Sequence, residues 1–142
     1  MMLSEALDLA RRIGDKRHTC FALQDLGWAA LAEDDDEGCD RLLRESVTLA
    51  RELGNRFFAL DALPGLAAAA AARGDLIRSA RLAAAAEALM AGVGHQPSVG
   101  EAGLYRPYLD AARARCDHSA WEQASQEGAS MTFDEAVDYA LS

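Results

Sequence analysis

The chain repeats itself at an interval of 40 residues. Displaced by that interval, Leu9-Ala10-Arg11-Arg12-Ile13-Gly14-Asp15 falls on Leu49-Ala50-Arg51-Glu52-Leu53-Gly54-Asn55. The register then continues without a gap: Ala22, Leu23 and Leu26 on Ala62, Leu63 and Leu66, Asp35 on Asp75, and Arg41-Leu42 on Arg81-Leu82. Thirteen of the 38 positions from Leu9 to Ser46 match their partners. Alanine, with 31 residues, raises that number, but the matched Gly-Asp/Asn breaks and leucines do not depend on it. A period of this length marks a stacked array, in which each unit buries its apolar face against its neighbours.

Each unit reads as two antiparallel helices. The first covers about Arg17 to Glu33 and its copy about Arg56 to Arg73, with Leu23, Leu26, Ala30 and Leu63, Leu66, Ala70 at helical spacing. The second covers about Asp36 to Leu53 and its copy about Leu76 to Ala91. Gly14, Gly54 and Gly74 stand where helices should end in the left-handed conformation, and Asp15, Asn55 and Asp75 follow as N-caps. The alanine content favours helices packed closely and disfavours a sandwich or barrel. The expected organisation is repeats over 1–94 (a half repeat 1–14, full repeats 15–54 and 55–94) and a C-terminal helical cap over 95–142.

Leu23-x-x-Leu26-Gly27-x-x-Ala30, an acidic turn, then Cys39, Leu43 and Ser46 resemble the small/large pattern of a tetratricopeptide repeat. Ala50-Arg-Glu-Leu-Gly-Asn, Gly74-Asp75, Ala80-Arg81-Leu82 and Ala85-Ala86-Glu87-Ala88-Leu89 are similar to one group in particular. That group is the helical-repeat region of bacterial LuxR-type and SARP-type transcriptional regulators and related signal-transduction ATPases. Ala111-Ala112-Arg113, Trp121-x-x-Ala124-x-x-x-Gly128 and Glu135-Ala136-Val137-x-Tyr139-Ala140-Leu141 resemble the segment that closes it. The resemblance implies an all-α right-handed superhelix and a regulatory protein-interaction role. The family's phosphate-binding loop and basic recognition helix have no counterpart here, so its ATP and DNA chemistry does not carry over.

In such a superhelix the first helices line the concave face. The resemblance thereby places Phe21, Gln24, Trp28 and Leu31 in a partner-binding groove, with Asp61, Pro64, Ala68 and Ala71 as the second-unit positions. Large aromatics in a groove are common binding anchors. Alternatively, Phe21 and Trp28 pack on the first helix of the chain. That helix, Leu3 to Ile13, aligns with the second helix of a unit, so the array starts in mid-repeat. Its stripe of Leu3, Leu7, Ala10 and Ile13 is then uncovered. This predicts a fragment or shortened relative of a longer regulator, whose bare end pairs with a second copy or is covered by a missing domain.

Beyond the repeats, Ser98-x-x-Glu101 and Thr132-x-x-Glu135 read as capping boxes, and Pro107 kinks a helix or starts a new segment. Trp121, Phe133, Tyr105 and Tyr108 are expected to anchor this cap on the second repeat.

The net charge of −9, and a tail from Asp117 to Ser142 without Lys or Arg, argue against direct nucleic-acid binding. Asp34-Asp35-Asp36-Glu37 lacks the calcium-loop pattern and reads as acids favoured at a helix N-terminus. Cys20, Cys39 and Cys116 show no zinc spacing and fit small buried side chains in a reducing cytoplasm. No membrane span and no cofactor are expected. His18, His95 and His118 are isolated in sequence and complete no triad, so no enzyme is expected. The functional alternatives are a stand-alone adaptor or dimerisation protein and a small-ligand sensor.

Overall fold

The computed structural model describes residues 2–142, with side chains from residue 4 onward; the Leu3 side chain of the expected self-association stripe lies outside the described residues. Among the described residues the fold is all-helical: α1 (Met2–Arg12), α2 (Lys16–Ala32), α3 (Asp36–Leu53), α4 (Arg56–Arg73), α5 (Leu76–Gly92), α6 (Val99–Arg115), α7 (His118–Ala129) and α8 (Phe133–Leu141).

The turns explain the spacing. The amides of Asp15, Asp35, Asn55, Asp75 and His95 bond back to the carbonyls of Ala10, Ala30, Ala50, Ala70 and Met90. In each turn the preceding residue, at 14, 34, 54, 74 or 94, has positive φ. Each is a Schellman stop, the bond pattern that satisfies the last carbonyls of a helix. These stops recur every 20 residues, so the 40-residue period is two identical helix-and-turn steps. Four of the five left-handed residues are glycine; the exception is Asp34, at φ 59°. Aspartate tolerates this conformation better than most side chains.

After each of the first four stops an acid or amide restarts the chain. Asp15, Asp35, Asn55 and Asp75 accept hydrogen bonds from the amides of His18, Gly38, Phe58 and Arg78. At position 95 the cap is replaced by histidine, and the next helix begins only at Ser98, which accepts from the Glu101 amide at 3.1 Å. The chain leaves the repeat path at that point.

Helix α2 packs on α3, α3 on α4, and α4 on α5. Leu23, Leu43, Leu63, Leu66 and Leu82 are fully buried between them. Helix α4 is covered on every side, and Ala67, Ala68, Ala69 and Ala70 are wholly buried. Its apolar residues accordingly run all round the helix. Pro64 and Pro107 lie inside continuous helices, so Pro107 starts no separate segment.

The C-terminal segment packs mainly on α4 and α5 of the second repeat and reaches α2 and α3 of the first as well. Helix α7 runs along α5; α6 packs chiefly on α4, lies along its cleft with α2 and also touches α5, and α8 bridges α3, α4 and α5. Helix α7 approaches α5 closely at Gly128, where a Cβ would stand 2.8 Å from Cα and C of Arg81 and nearer still to its carbonyl oxygen. Arginines receive the end of α8: Arg78 donates to the Ala140 carbonyl at 2.8 Å and Arg44 to that of Ser142 at 3.0 Å. Cations are favoured at a helix C-terminus. The Thr132–Glu135 capping box closes in both directions at the start of the same helix.

Candidate functional site

The residues assigned to a groove lie on one face of α2 and α4, and α6 covers most of that face. Trp28 is buried, with its ring centre 6.1 Å from that of Tyr105 on α6. Leu31 is 1% exposed, and its carbonyl accepts the Tyr108 hydroxyl at 3.0 Å. Gln24 is buried and donates through Nε2 to the Phe58 carbonyl at 2.5 Å. Asp61 accepts His95 Nε2 at 2.5 Å, which ties the start of the 94–98 loop to α4. Pro64, Ala68 and Ala71 are buried as well. Phe21 alone in this set remains open, 44% exposed, its ring edge-on to Phe58 at 4.3 Å. The two aromatics therefore pack on α6 and α4, whereas the alternative placed them on α1.

Tyr108 is the main polar anchor of α6. Its one hydroxyl proton is shared between the Leu31 carbonyl and the Asp34 carboxylate, and the bond to Asp34, with partial burial, pushes its pKa up to about 12. At the other end of α6, Glu101 faces Asp61, Asp25 and His95. Burial first, then the charge of Asp61, raises the Glu101 pKa. Burial raises Asp25 in the same direction. The N-terminal half of α6 thus sits on α2 and α4 with three carboxyl groups near one another.

Beside α6 a groove of about 1020 Å³ opens between α5, α6 and α7. Pro64, Ala83, Met90, Tyr105, Leu109 and Trp121 give it an apolar floor, and Glu87, Arg106, Asp110 and Glu122 line it as well. An Arg113–Glu122 bridge at 3.1 Å joins α6 to α7 at its edge. The repeat shows why it is open. Alignment at 40 residues sets Ala83 where α3 has Leu43, and Glu87 where α3 has Val47. Leu43 and Val47 are fully buried in the first copy. Sequence reasoning missed this groove, although that pair of exchanges was its signal.

The self-association stripe also needs correction. Leu7 and Ala10 are 6% and 4% exposed, and Leu7 packs with Ala22 and Leu23 of α2. They cover α2 and face no solvent; Ile13, at 68%, does. Among the described residues no three His, Cys, Asp or Glu side chains gather as a metal site, and no helix is long and apolar enough to cross a membrane. His18 and His95 are not isolated in space: each pairs with a carboxylate, Asp15 and Asp61. Cys20 and Cys39 are buried and burial raises both thiols, Cys39 to about 12. No protein-family model, curated protein or solved structure matches the chain.

Proposed function

We propose that this chain is a non-catalytic protein-interaction module, the helical-repeat part of a bacterial transcriptional regulator or signalling ATPase of the tetratricopeptide-like kind. The observation that carries the reading is the use of the α2/α4 face. It already holds a helix, α6, through an aromatic contact at Trp28 and a tyrosine hydrogen bond at Leu31. A surface shaped to hold one helix can hold another, and helix-in-groove docking is a common mode of recognition. Phe21 and the α6 surface extend that face into solvent. A photo-crosslinking residue placed at Phe21, and separately at Leu109, tests this in the native cell. A discrete adduct with one other protein is expected at either position. Adducts with none, at either position, would defeat the reading.

The groove between α5, α6 and α7 favours a second reading, a small-ligand sensor, since its volume is that of a ligand pocket and its lining mixes aromatics with charges. A metabolite that raises the melting temperature of the parent chain, and leaves an Ala83→Phe variant with a filled groove unmoved, would support it.

A further inference from the structure

The 40-residue register superimposes α1 on α3 and, one step on, α5. Ala6, Leu9 and Ile13 then stand where α3 has Ser46, Leu49 and Leu53, and where the next copy has Ala86, Leu89 and Val93. In α3 this side meets a neighbouring helix. Ser46 is fully buried and hydrogen-bonded to Cys20 of α2, Leu49 is half-buried against the cluster that holds Ala22 and Leu23, and Leu53 is 40% exposed. Ala86 is likewise buried, Leu89 half-buried and Val93 49% exposed, so the contrast with α1 lies at the first two positions. In α1 the same side faces out: Ala6 is exposed, Leu9 is 59% exposed and Ile13 68%. The opposite side of α1, with Leu7 and Ala10, is buried on α2. No other helix of the described residues lies over Ala6 and Leu9.

We propose that this side of α1 pairs with α1 of a second copy, antiparallel and about a two-fold axis through Leu9. Charge selects this occupant. Glu5 and Arg12 are exposed and lie on the same arc of the helix as Leu9, one turn before it and nearly one turn after. A two-fold crossing at Leu9 brings Glu5 of each copy to Arg12 of the other, twice. A parallel pairing would put that arc of the two copies on opposite flanks of the seam, with no Glu5–Arg12 exchange. Ala6 beside Leu9 lets the backbones approach, and α3 already takes its neighbour α2 antiparallel on the equivalent side. An 11-residue helix is about 16 Å long, so the contact is small and the dimer transient, with a dissociation constant on the order of 10–100 μM.

The inference is independent of the proposed function: a monomer that still captures a partner removes only the dimer, and a dimer without a partner removes only the module. Sedimentation velocity of the full chain from about 5 to about 500 μM at physiological salt, where the repulsion of two acidic chains is screened, is the test. Mass is expected to rise from monomer to dimer across that range. Glu5→Arg and Arg12→Glu should each be monomeric alone, and an equimolar mixture of the two should regain the dimer, since the swapped charges complement one another. Leu9→Glu should be monomeric with an unchanged circular dichroism spectrum. A parent that stays monomeric throughout, a dimer that survives Leu9→Glu, or a mixture of the charge variants that stays monomeric would each overturn the pairing.

Discussion

Exchanging glycine for alanine at two helical positions of the C-terminal segment should change stability in opposite directions. At Gly103 on α6 a Cβ would meet nothing within 4 Å. The substitution there removes only the conformational freedom of glycine, a gain of about 0.5–1 kcal/mol. At Gly128 on α7 the same Cβ would lie 2.8 Å from Cα and C of Arg81, and closer still to its carbonyl oxygen. Ordinary carbon contacts begin near 3.5 Å, so α7 must retreat from α5 by roughly 0.7–1 Å. Backbone cannot swing aside as a side chain does. The movement loosens Trp121 and Ala124, which are 6% and 1% exposed in the cluster joining α7 to Ala71, Ala80 and Ala112. Overpacking of this kind costs about 1–3 kcal/mol, against which the helix-propensity gain of about 1 kcal/mol is smaller. The clash with the Arg81 backbone puts Gly128→Ala in the upper part of that range, a net loss of about 1–2 kcal/mol. In a chain of this length that means melting temperatures about 2–3 °C higher for Gly103→Ala and about 3–6 °C lower for Gly128→Ala. Thermal unfolding followed by circular dichroism measures both, and tryptophan fluorescence reports the Trp121 environment. If both variants gain stability alike, the close approach of α7 to α5 is wrong.

Glu101→Gln tests the carboxyl cluster under α6. Burial holds the Glu101 pKa above its ordinary value, so the folded chain keeps that proton at a pH where the unfolded chain has lost it. Its contribution is therefore complete below the unfolded pKa and fades as pH rises through the folded one. The variant should be more stable than the parent at neutral pH and equal to it in acid, read from denaturant midpoints across the range. Tyr108→Phe removes the bonds to the Leu31 carbonyl and Asp34 and should cost roughly 1–2 kcal/mol. The ultraviolet titration of the same variant should lack the phenol that ionises near pH 12 in the parent; an unchanged alkaline titration would show that Tyr108 is not so held.

The hairpins were legible because their punctuation is chemical. Gly-Asp and Gly-Asn combine a left-handed stop with an N-cap, and the helix ends on either side of Gly14, Gly54 and Gly74 fall within a residue or so of the bounds those pairs set. Asp34 was not legible as a stop, since an aspartate takes that conformation here while its carboxylate accepts from Tyr108, 74 residues later. The outward side of α1 was misjudged because the helix carries two apolar arcs: one holds Leu7 and Ala10, the other Ala6 and Leu9. Periodicity reveals the arcs and leaves open which of them meets α2. The path of α6 escaped for a related reason. Only Tyr105 and Ala112 are buried on it, so its sequence lacks a strong apolar stripe. Its position rests on two tyrosines and on a face of α2 and α4 whose Trp28 was already marked as a binding residue. The residues expected to line a groove do share one face, and α6 covers most of it, which their own spacing does not reveal.

Helix α6 has 17 residues, about 25 Å of rigid rod, and it touches α2, α4 and α5 together. Its partners advance in step along both neighbours, from Asp25 and Asp61 at Glu101, through Trp28 at Tyr105 and Leu31 at Tyr108, to Ala71 at Arg115, so the rod lies along the cleft between α2 and α4 and joins two hairpins. The helix-and-turn step of the array could be copied indefinitely, since each stop closes on its own carbonyls. A fixed rod could not follow. One more hairpin inserted at the Gly54–Asn55 turn would carry Trp28 and the Asp34 turn away from Tyr105 and Tyr108, and Asp61 would no longer meet the same end of the rod. Helix α6 therefore acts as a key for one spacing: it seats only where α2 and α4 stand side by side.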